Sequence, residues 1–241
     1  MARGSKKSRI VYGIISLVIT LVVCFFLTNF NDKVYDADNV GIERIEDVLG
    51  IVEEFSGEPY IVINDNIPFF AEDEITDVSF EKYGEMDYLE RCTVAEACIG
   101  EDIMPFEERG AIGHVKPSGW HTVKYDCVDG RYLYNRCHLI GYQLTGENAN
   151  RENLITGTRY LNMEGMLPFE NMVADYVKET GNHVMYRVTP LFEGENLLAS
   201  GVVMEAMSVE DNGEGICFNV YCYNAQPGVA IDYATGESKL E

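Results

Sequence analysis

The sequence predicts an α+β domain built on antiparallel strands. Short runs rich in Val, Ile, Tyr and Phe are bounded by turn residues, as half-buried strands are. One later stretch, from Pro168 to Gly181, repeats its apolar residues at helical spacing instead. The order is strands, then that helix, then a further run of strands, which indicates α+β architecture.

The elements before the domain are read from charge. Residues 1–9 carry Arg3, Lys6, Lys7 and Arg9 and no acidic residue. Ile10 to Phe30 is a run of 21 residues without a charged side chain, the length of one helical bilayer crossing. Basic residues before the run and none directly after it put the N-terminus in the cytoplasm and the rest outside. A retained single-pass anchor is expected, because no small-x-small cleavage site closes the run. Secretion after signal cleavage is the alternative. Residues 31–58 read as an acidic stalk or linker. In it Ile42, Ile45, Leu49 and Val52 are spaced by 3, 4 and 3, which predicts a short amphipathic helix packed against the domain.

The domain proper is expected over residues 59–241. Tyr60 to Ile63 reads as a strand, and residues 72–108 as acidic and irregular. Trp120 to Cys127 and Arg131 to Arg136 flank an Asp129-Gly130 turn, so a hairpin is predicted there. Phe169, Met172, Val173, Tyr176 and Val177 recur at i, i+3, i+4, i+7 and i+8. Pro168 suits the first turn of that helix and Gly181 its end. His183 to Val188, Leu197 to Val209 and Ile216 to Tyr223 read as three more strands. Turns at Glu193-Gly194-Glu195-Asn196 and Asp211-Asn212-Gly213 separate them.

Composition is that of a globular protein, 46% hydrophobic and 24% charged. The net charge is −22. From residue 31 onward 14 Lys and Arg face 40 Asp and Glu, a balance of −26. Such a surface repels nucleic acid at long range, so a nucleic-acid partner has to be held by local charge. Of seven cysteines, Cys24 lies in the apolar run. The other six permit disulfides, with Cys92–Cys98 the first pair to test on its short separation, or unpaired core thiols. The absence of CxxC and HxxxH spacings speaks against zinc. No Gly-rich phosphate loop and no Gly-x-Ser-x-Gly element is present.

The chemistry concentrates in Tyr134-Asn135-Arg136-Cys137-His138-Leu139-Ile140-Gly141 and in Asn153 to Asn162. A histidine at a strand end is by itself more often structural. Here it has an adjacent arginine, two downstream asparagines and a helix bearing Glu170. Phosphodiester hydrolysis needs a base for water, a cation for the developing charge and a scaffold that aligns the two. Histidine titrates near neutrality and suits the base. An asparagine carbonyl suits magnesium when water and phosphate oxygens fill the rest of its shell.

These residues resemble the DNA/RNA non-specific endonucleases of the ββα-metal (His-Me finger) fold, particularly the membrane-anchored nucleases of Gram-positive bacteria. That family's signature is Asp-Arg-Gly-His, followed by an Asn-rich segment opening a helix. It reads here as Asn135-Arg136-Cys137-His138. The similarity covers roughly residues 58 to 238, including the ending Gly228 to Gly236. The resemblance implies His138 as general base and Asn162 as ligand of Mg2+, with Mn2+ as a substitute. It further implies that Asn153 holds the histidine or the phosphate, and that Glu170 orients waters around the metal. Arg136 falls in the signature loop, and Arg109 and Lys116 match a stretch expected to contact phosphate. Implied with these is hydrolysis of DNA, and of RNA, to 5′-phosphate ends without sequence preference, through contacts to the backbone.

Two positions depart from the pattern. Asn135 replaces Asp and so removes a negative charge beside the histidine, and Cys137 adds a side chain where the pattern has glycine. Neither is the base or the metal ligand. Two other function classes fit the bulk composition: a catalytically silent surface receptor for DNA uptake, and an acidic adhesin.

Overall fold

The computed structural model of the chain describes residues 45–241. The expected basic tail, the membrane segment at 10–30 and the first part of the stalk lie outside the described residues. Among the described residues no helix is long and apolar enough to cross a membrane.

A six-stranded antiparallel sheet runs in the order β1 (Tyr60–Val62), β8 (Cys217–Tyr223), β7 (Gly201–Ser208), β6 (Val184–Leu191), β3 (Ala95–Ile99) and β2 (Phe80–Tyr83). Alternation along β7 shows how it is used. Val202, Met204 and Ala206 join one core with helix α1 (Leu167–Thr180), while Val203 joins a second core on the opposite face. That second core is covered by the first described segment. Ile45–Gly50 forms a 3-10 helix, and Val48, Leu49, Val52 and Phe55 pack there with Tyr221 and Tyr223. Also on that face, buried Glu205 meets Arg187, its register partner across β6–β7, and Phe70 stacks on the guanidinium at 4.6 Å.

Helix α1 buries Phe169, Val173, Ala174 and Val177 and ends at Gly181, whose φ of 72° is left-handed and whose N–H reaches the Val177 carbonyl. Met172, part of the predicted apolar stripe, faces solvent at 47% exposure. The helix follows a π-helical turn, Leu161–Met166.

Two expectations need correction, and one open alternative is decided. Residues 72–108 are not irregular throughout, because they hold β2 and β3. Ala95, Ala97, Cys98 and Ile99 of β3 are fully buried in the sheet, but small side chains carry little strand signal. The predicted Trp120–Cys127/Arg131–Arg136 hairpin is also displaced. Only Lys124 bridges Tyr132 there. The strand is β4 (Tyr134–His138), and its partner is the non-local, wholly buried β5 (Leu154–Thr158), with His138 opposite Leu154. A strong local turn signal outweighed a pairing that only burial reveals. Lastly, Cys92 and Cys98 are free thiols. Cys92 donates to the Arg151 and Leu154 carbonyls, and Cys98 to that of Thr76.

The β4–β5 hairpin is tied to the main sheet by Asn224, a residue to which the sequence lends no special role. It is fully buried, accepts from Thr158 N at 2.9 Å and donates to the Thr156 and Ala199 carbonyls. A C-terminal hairpin, β9 (Val229–Ile231) with β10 (Ser238–Leu240), closes over Trp120 and Tyr134 in a third, smaller core.

Candidate active site

Strands β4 and β5 followed by α1 form a ββα unit, and it presents the candidate residues. His138 ends β4 and is 6% exposed. Its Nε2–H donates to the Asn148 carbonyl at 2.8 Å, and Arg109 Nη2 donates to its Nδ1 at 3.2 Å. A carbonyl can only accept and a guanidinium can only donate. Those partners therefore define the neutral Nε2–H tautomer, with the Nδ1 lone pair as the basic site.

Burial pushes the His138 pKa down to about 4; the Asn148 carbonyl opposes this and the Arg109 charge adds to it. His138 is accordingly expected to stay neutral well below pH 6.5. Nitrogen-15 NMR should show the Nε2–H tautomer persisting to pH 5 in the metal-free protein; protonation near 6.5 would contradict the geometry. Stability follows the same sign. It is fully present above the unfolded pKa near 6.5 and lost as pH falls toward 4, because the unfolded chain takes up the proton first. Over that range the loss is roughly 3 kcal/mol.

Asn153, fully buried, makes no hydrogen bond to the imidazole among the described residues. It accepts from Ile140 N at 2.8 Å and donates to Ile140 O at 3.0 Å. It thereby fixes the chain just beyond His138. Arg136 is likewise turned away from the histidine. Its guanidinium donates to the Val115 and Gly113 carbonyls and lies 3.9 Å from the centroid of the Trp120 ring. Lys116 is exposed, between these loop residues and Trp120.

Glu170 is brought toward the histidine. Burial raises its carboxyl pKa to about 7, with a Gln143 hydrogen bond and the Arg109 charge pulling the other way. Arg109 thus bonds to His138 and its charge also reaches Glu170. Gly141 makes room for the carboxylate, since a Cβ there would stand 2.6 Å from Glu170 Oε2.

Asn162 sits in the π turn, where Leu167 N–H bonds back to the Asn162 carbonyl. Rotation of about 80° per residue in a π turn, against about 100° in an α-helix, puts Asn162 on the helix face that carries Glu170. A regular helix would leave the two about 80° apart. The Asn162 amide donates weakly to Met163 Sδ at 3.4 Å, and its Oδ1 has no protein partner among the described residues.

Cys137 is accommodated by Gly157. A Cβ on Gly157 would lie 2.4 Å from Cys137 Sγ. Gly157→Ala is expected to destabilise the domain by about 1–3 kcal/mol through overpacking. Urea unfolding of Gly157→Ala alone and with Cys137→Gly checks this: the second change should recover most of the loss.

The sequence reading missed Asn148, Gly141 and Gln143. Asn148 acts through a backbone carbonyl, which leaves no side-chain signature. Gly141, directly after the signature strand, was the one detectable hint of close approach. The other histidines lie in ordinary contacts: His183 meets Glu210 at 2.7 Å, His121 meets the Thr235 carbonyl and His114 is exposed.

A family profile described as DNA/RNA non-specific endonuclease matches residues 72–210, more than half of the chain. The chain belongs to the DNA/RNA non-specific endonuclease family. Among solved structures, this nuclease resembles NucA from Streptococcus agalactiae with no metal bound, at 27% identity and a TM-score of 0.66, covering 75% of this chain and 86% of that one. NucA with a magnesium ion bound matches at 25% identity and a TM-score of 0.65, over 77% and 91% of the two chains. Sda1 nuclease with a bound zinc ion matches at 29% identity and a TM-score of 0.59, over 68% and 81%. The non-specific endonuclease is thus an enzyme that hydrolyses nucleic-acid phosphodiester bonds, on an α+β fold with an antiparallel sheet.

Proposed function

We propose that this endonuclease is magnesium-dependent and cuts DNA and RNA through His138, Asn162 and Glu170. The observation that carries the reading is the ββα unit. It carries a histidine held as the neutral Nε2–H tautomer at the end of β4, an asparagine oxygen without a protein partner among the described residues in the π turn, and a half-buried carboxyl on α1.

The residues present suit a divalent cation. No three His, Cys, Asp or Glu side chains converge among the described residues, so an ion here takes most of its ligands from water and phosphate. That is the habit of magnesium, and a single neutral oxygen such as Asn162 Oδ1 then suffices. The magnesium-bound and zinc-bound neighbours are in keeping with a divalent ion, and manganese is a substitute by the same ligand preference. Bound there, the ion supplies charge neutralisation at the phosphate and its leaving 3′-oxygen.

The chain's own residues do the rest. His138 Nδ1 takes a proton from the attacking water, and the Asn148 carbonyl keeps Nε2–H in place and favours the imidazolium that forms. Arg109 must leave Nδ1 for this to happen, and an incoming phosphate is the partner that draws it off. Glu170, ionised beside a cation, accepts hydrogen bonds from ordered water. Asn153 positions the loop after the histidine. Arg136 braces the 113–115 loop, and Lys116 offers that loop's exposed positive charge to the backbone. Products carry 5′-phosphates. We further assign residues 10–30 as a single-pass membrane anchor, 31–58 as its stalk and 59–241 as an extracellular nuclease domain. The charge asymmetry across the apolar run supports this.

The test is digestion of plasmid DNA and of RNA by the full chain. Cleavage in magnesium, its loss on chelation, 5′-phosphate ends and a steep fall with salt are expected. Binding of DNA without cutting in magnesium would instead indicate a silent receptor.

A further inference from the structure

We propose, on the strength of the His138 site described above, that Phe106 is a substrate-binding residue on which an unpaired base of the bound strand stacks. Phe106 is 91% exposed, the most exposed large hydrophobic side chain among the described residues. Its ring has no aromatic or cationic partner among them. A single apolar side chain in water needs no explanation by itself. What sets Phe106 apart is where it is seated.

The loop that carries it is clamped to the segment that holds the histidine. On one side of Phe106, Pro105 packs on Gly146, where a Cβ would stand 3.4 Å from the proline Cβ. On the other side, Tyr142 Oη–H donates to the Glu107 carbonyl at 2.8 Å. Further on, Gly110 lies against Asn148, where a Cβ would stand 2.7 Å from Nδ2. Asn148 is the residue whose carbonyl accepts from His138 Nε2. Between these clamps Arg109 Nη2 reaches His138 Nδ1 at 3.2 Å. Three residues of backbone separate Phe106 from Arg109, at most roughly 11 Å. The ring is therefore displayed on a fixed loop a short reach from the histidine.

Charge narrows what the ring can meet. Exposed Glu107 and Glu108 follow it directly, so a phosphate is disfavoured there, while an uncharged base is not. Stacking on an aromatic ring is the contact that a strongly acidic protein can make with a strand without added positive charge. Every base has a π face, so such a contact leaves cleavage free of sequence preference. A phosphate that draws Arg109 off His138 brings a neighbouring base to the same loop. Bases of an intact duplex are already stacked on one another, so the contact favours single strands and locally opened sites.

The test uses the full chain, a labelled single-stranded DNA oligonucleotide and a strand of equal length built of abasic sites. Binding is read by fluorescence anisotropy with chelator present, and cleavage is read in magnesium. Phe106→Ala is expected to weaken binding of the normal strand about tenfold and to raise KM by a similar factor, with kcat within about twofold. Phe106→Trp should retain binding, and Phe106→Leu, apolar but without a ring, should behave as the alanine variant. On the abasic strand all four proteins should bind alike. Thermal melting should not move, since the ring is in water. A wild-type chain that binds but does not cut counts against the catalytic reading of His138, and the anisotropy series then still decides Phe106. No binding of the normal strand by the wild type, an unchanged affinity in Phe106→Ala, an equal loss on the abasic strand, or rescue by leucine overturns the proposal.

Discussion

His138→Ala is expected to lower the plasmid cleavage rate by about a thousandfold or more. A positioned general base contributes roughly 10²- to 10⁴-fold, and nothing beside it can take over. Arg109 is cationic, Asn148 offers only a carbonyl and an amide, and Glu170 has the proposed task of holding water at the cation. The substitution also empties a site that is only 6% exposed and strands the Asn148 carbonyl, which is expected to cost about 1–3 kcal/mol. Activity is therefore measured well below the melting temperature, with circular dichroism confirming the fold. Cleavage within tenfold of the wild type would remove His138 from the mechanism.

Asn162→Ala is expected to lower cleavage by about a hundredfold or more and to shift the magnesium requirement to higher concentration. The scale follows from the several kcal/mol that a metal supplies to transition-state charge. Stability should hardly change. Asn162 is half-buried and its only side-chain bond among the described residues is a weak one to Met163 sulfur. Losing that bond costs well under about 1 kcal/mol. Magnesium titration of cleavage, beside thermal melts of the same preparation, separates the two quantities. An unchanged magnesium dependence would argue that the ion is held elsewhere.

The two substitutions differ because their side chains differ in surroundings. His138 is held at both nitrogens and is part of the packed interior, whereas Asn162 projects from a turn whose widening aims it. That widening is hard to foresee from a sequence, since Leu161–Met166 contains nothing that forbids a regular helix. The neighbouring core, by contrast, was legible. Phe169, Val173 and Val177 repeat at helical spacing, Gly181 supplies the left-handed end, and Asn212-Gly213 turns β7 into β8 at φ of 55° and 85°. Strands β6, β7 and β8 were readable for the same reason: their apolar content and flanking turns are local.

Less was legible where a residue's partner lies far along the chain. Strand β3, Ala-Glu-Ala-Cys-Ile, is a strand because β6 and β2 flank it, with Glu96 facing Arg187. The partner of β4 was misplaced because Asp129-Gly130 is an effective turn, and the burial that favours β5 is not visible locally. Arg136, two positions before the histidine, donates to the Val115 and Gly113 carbonyls instead, while Arg109, 29 positions before it, donates to its ring. Cys92 and Cys98, close in sequence, are two thiols donating to different carbonyls.

The sequence by itself determined the α+β class, the helix that follows the signature and the family, because periodicity, turn chemistry and a motif are all written in neighbouring residues. Only the tertiary structure decided the tautomer of His138, the seat of Arg109 on its basic nitrogen and the common face of Asn162 and Glu170. Each of these depends on a contact between distant segments or on a backbone carbonyl, and it is burial in the folded chain that brings such groups within hydrogen-bonding reach.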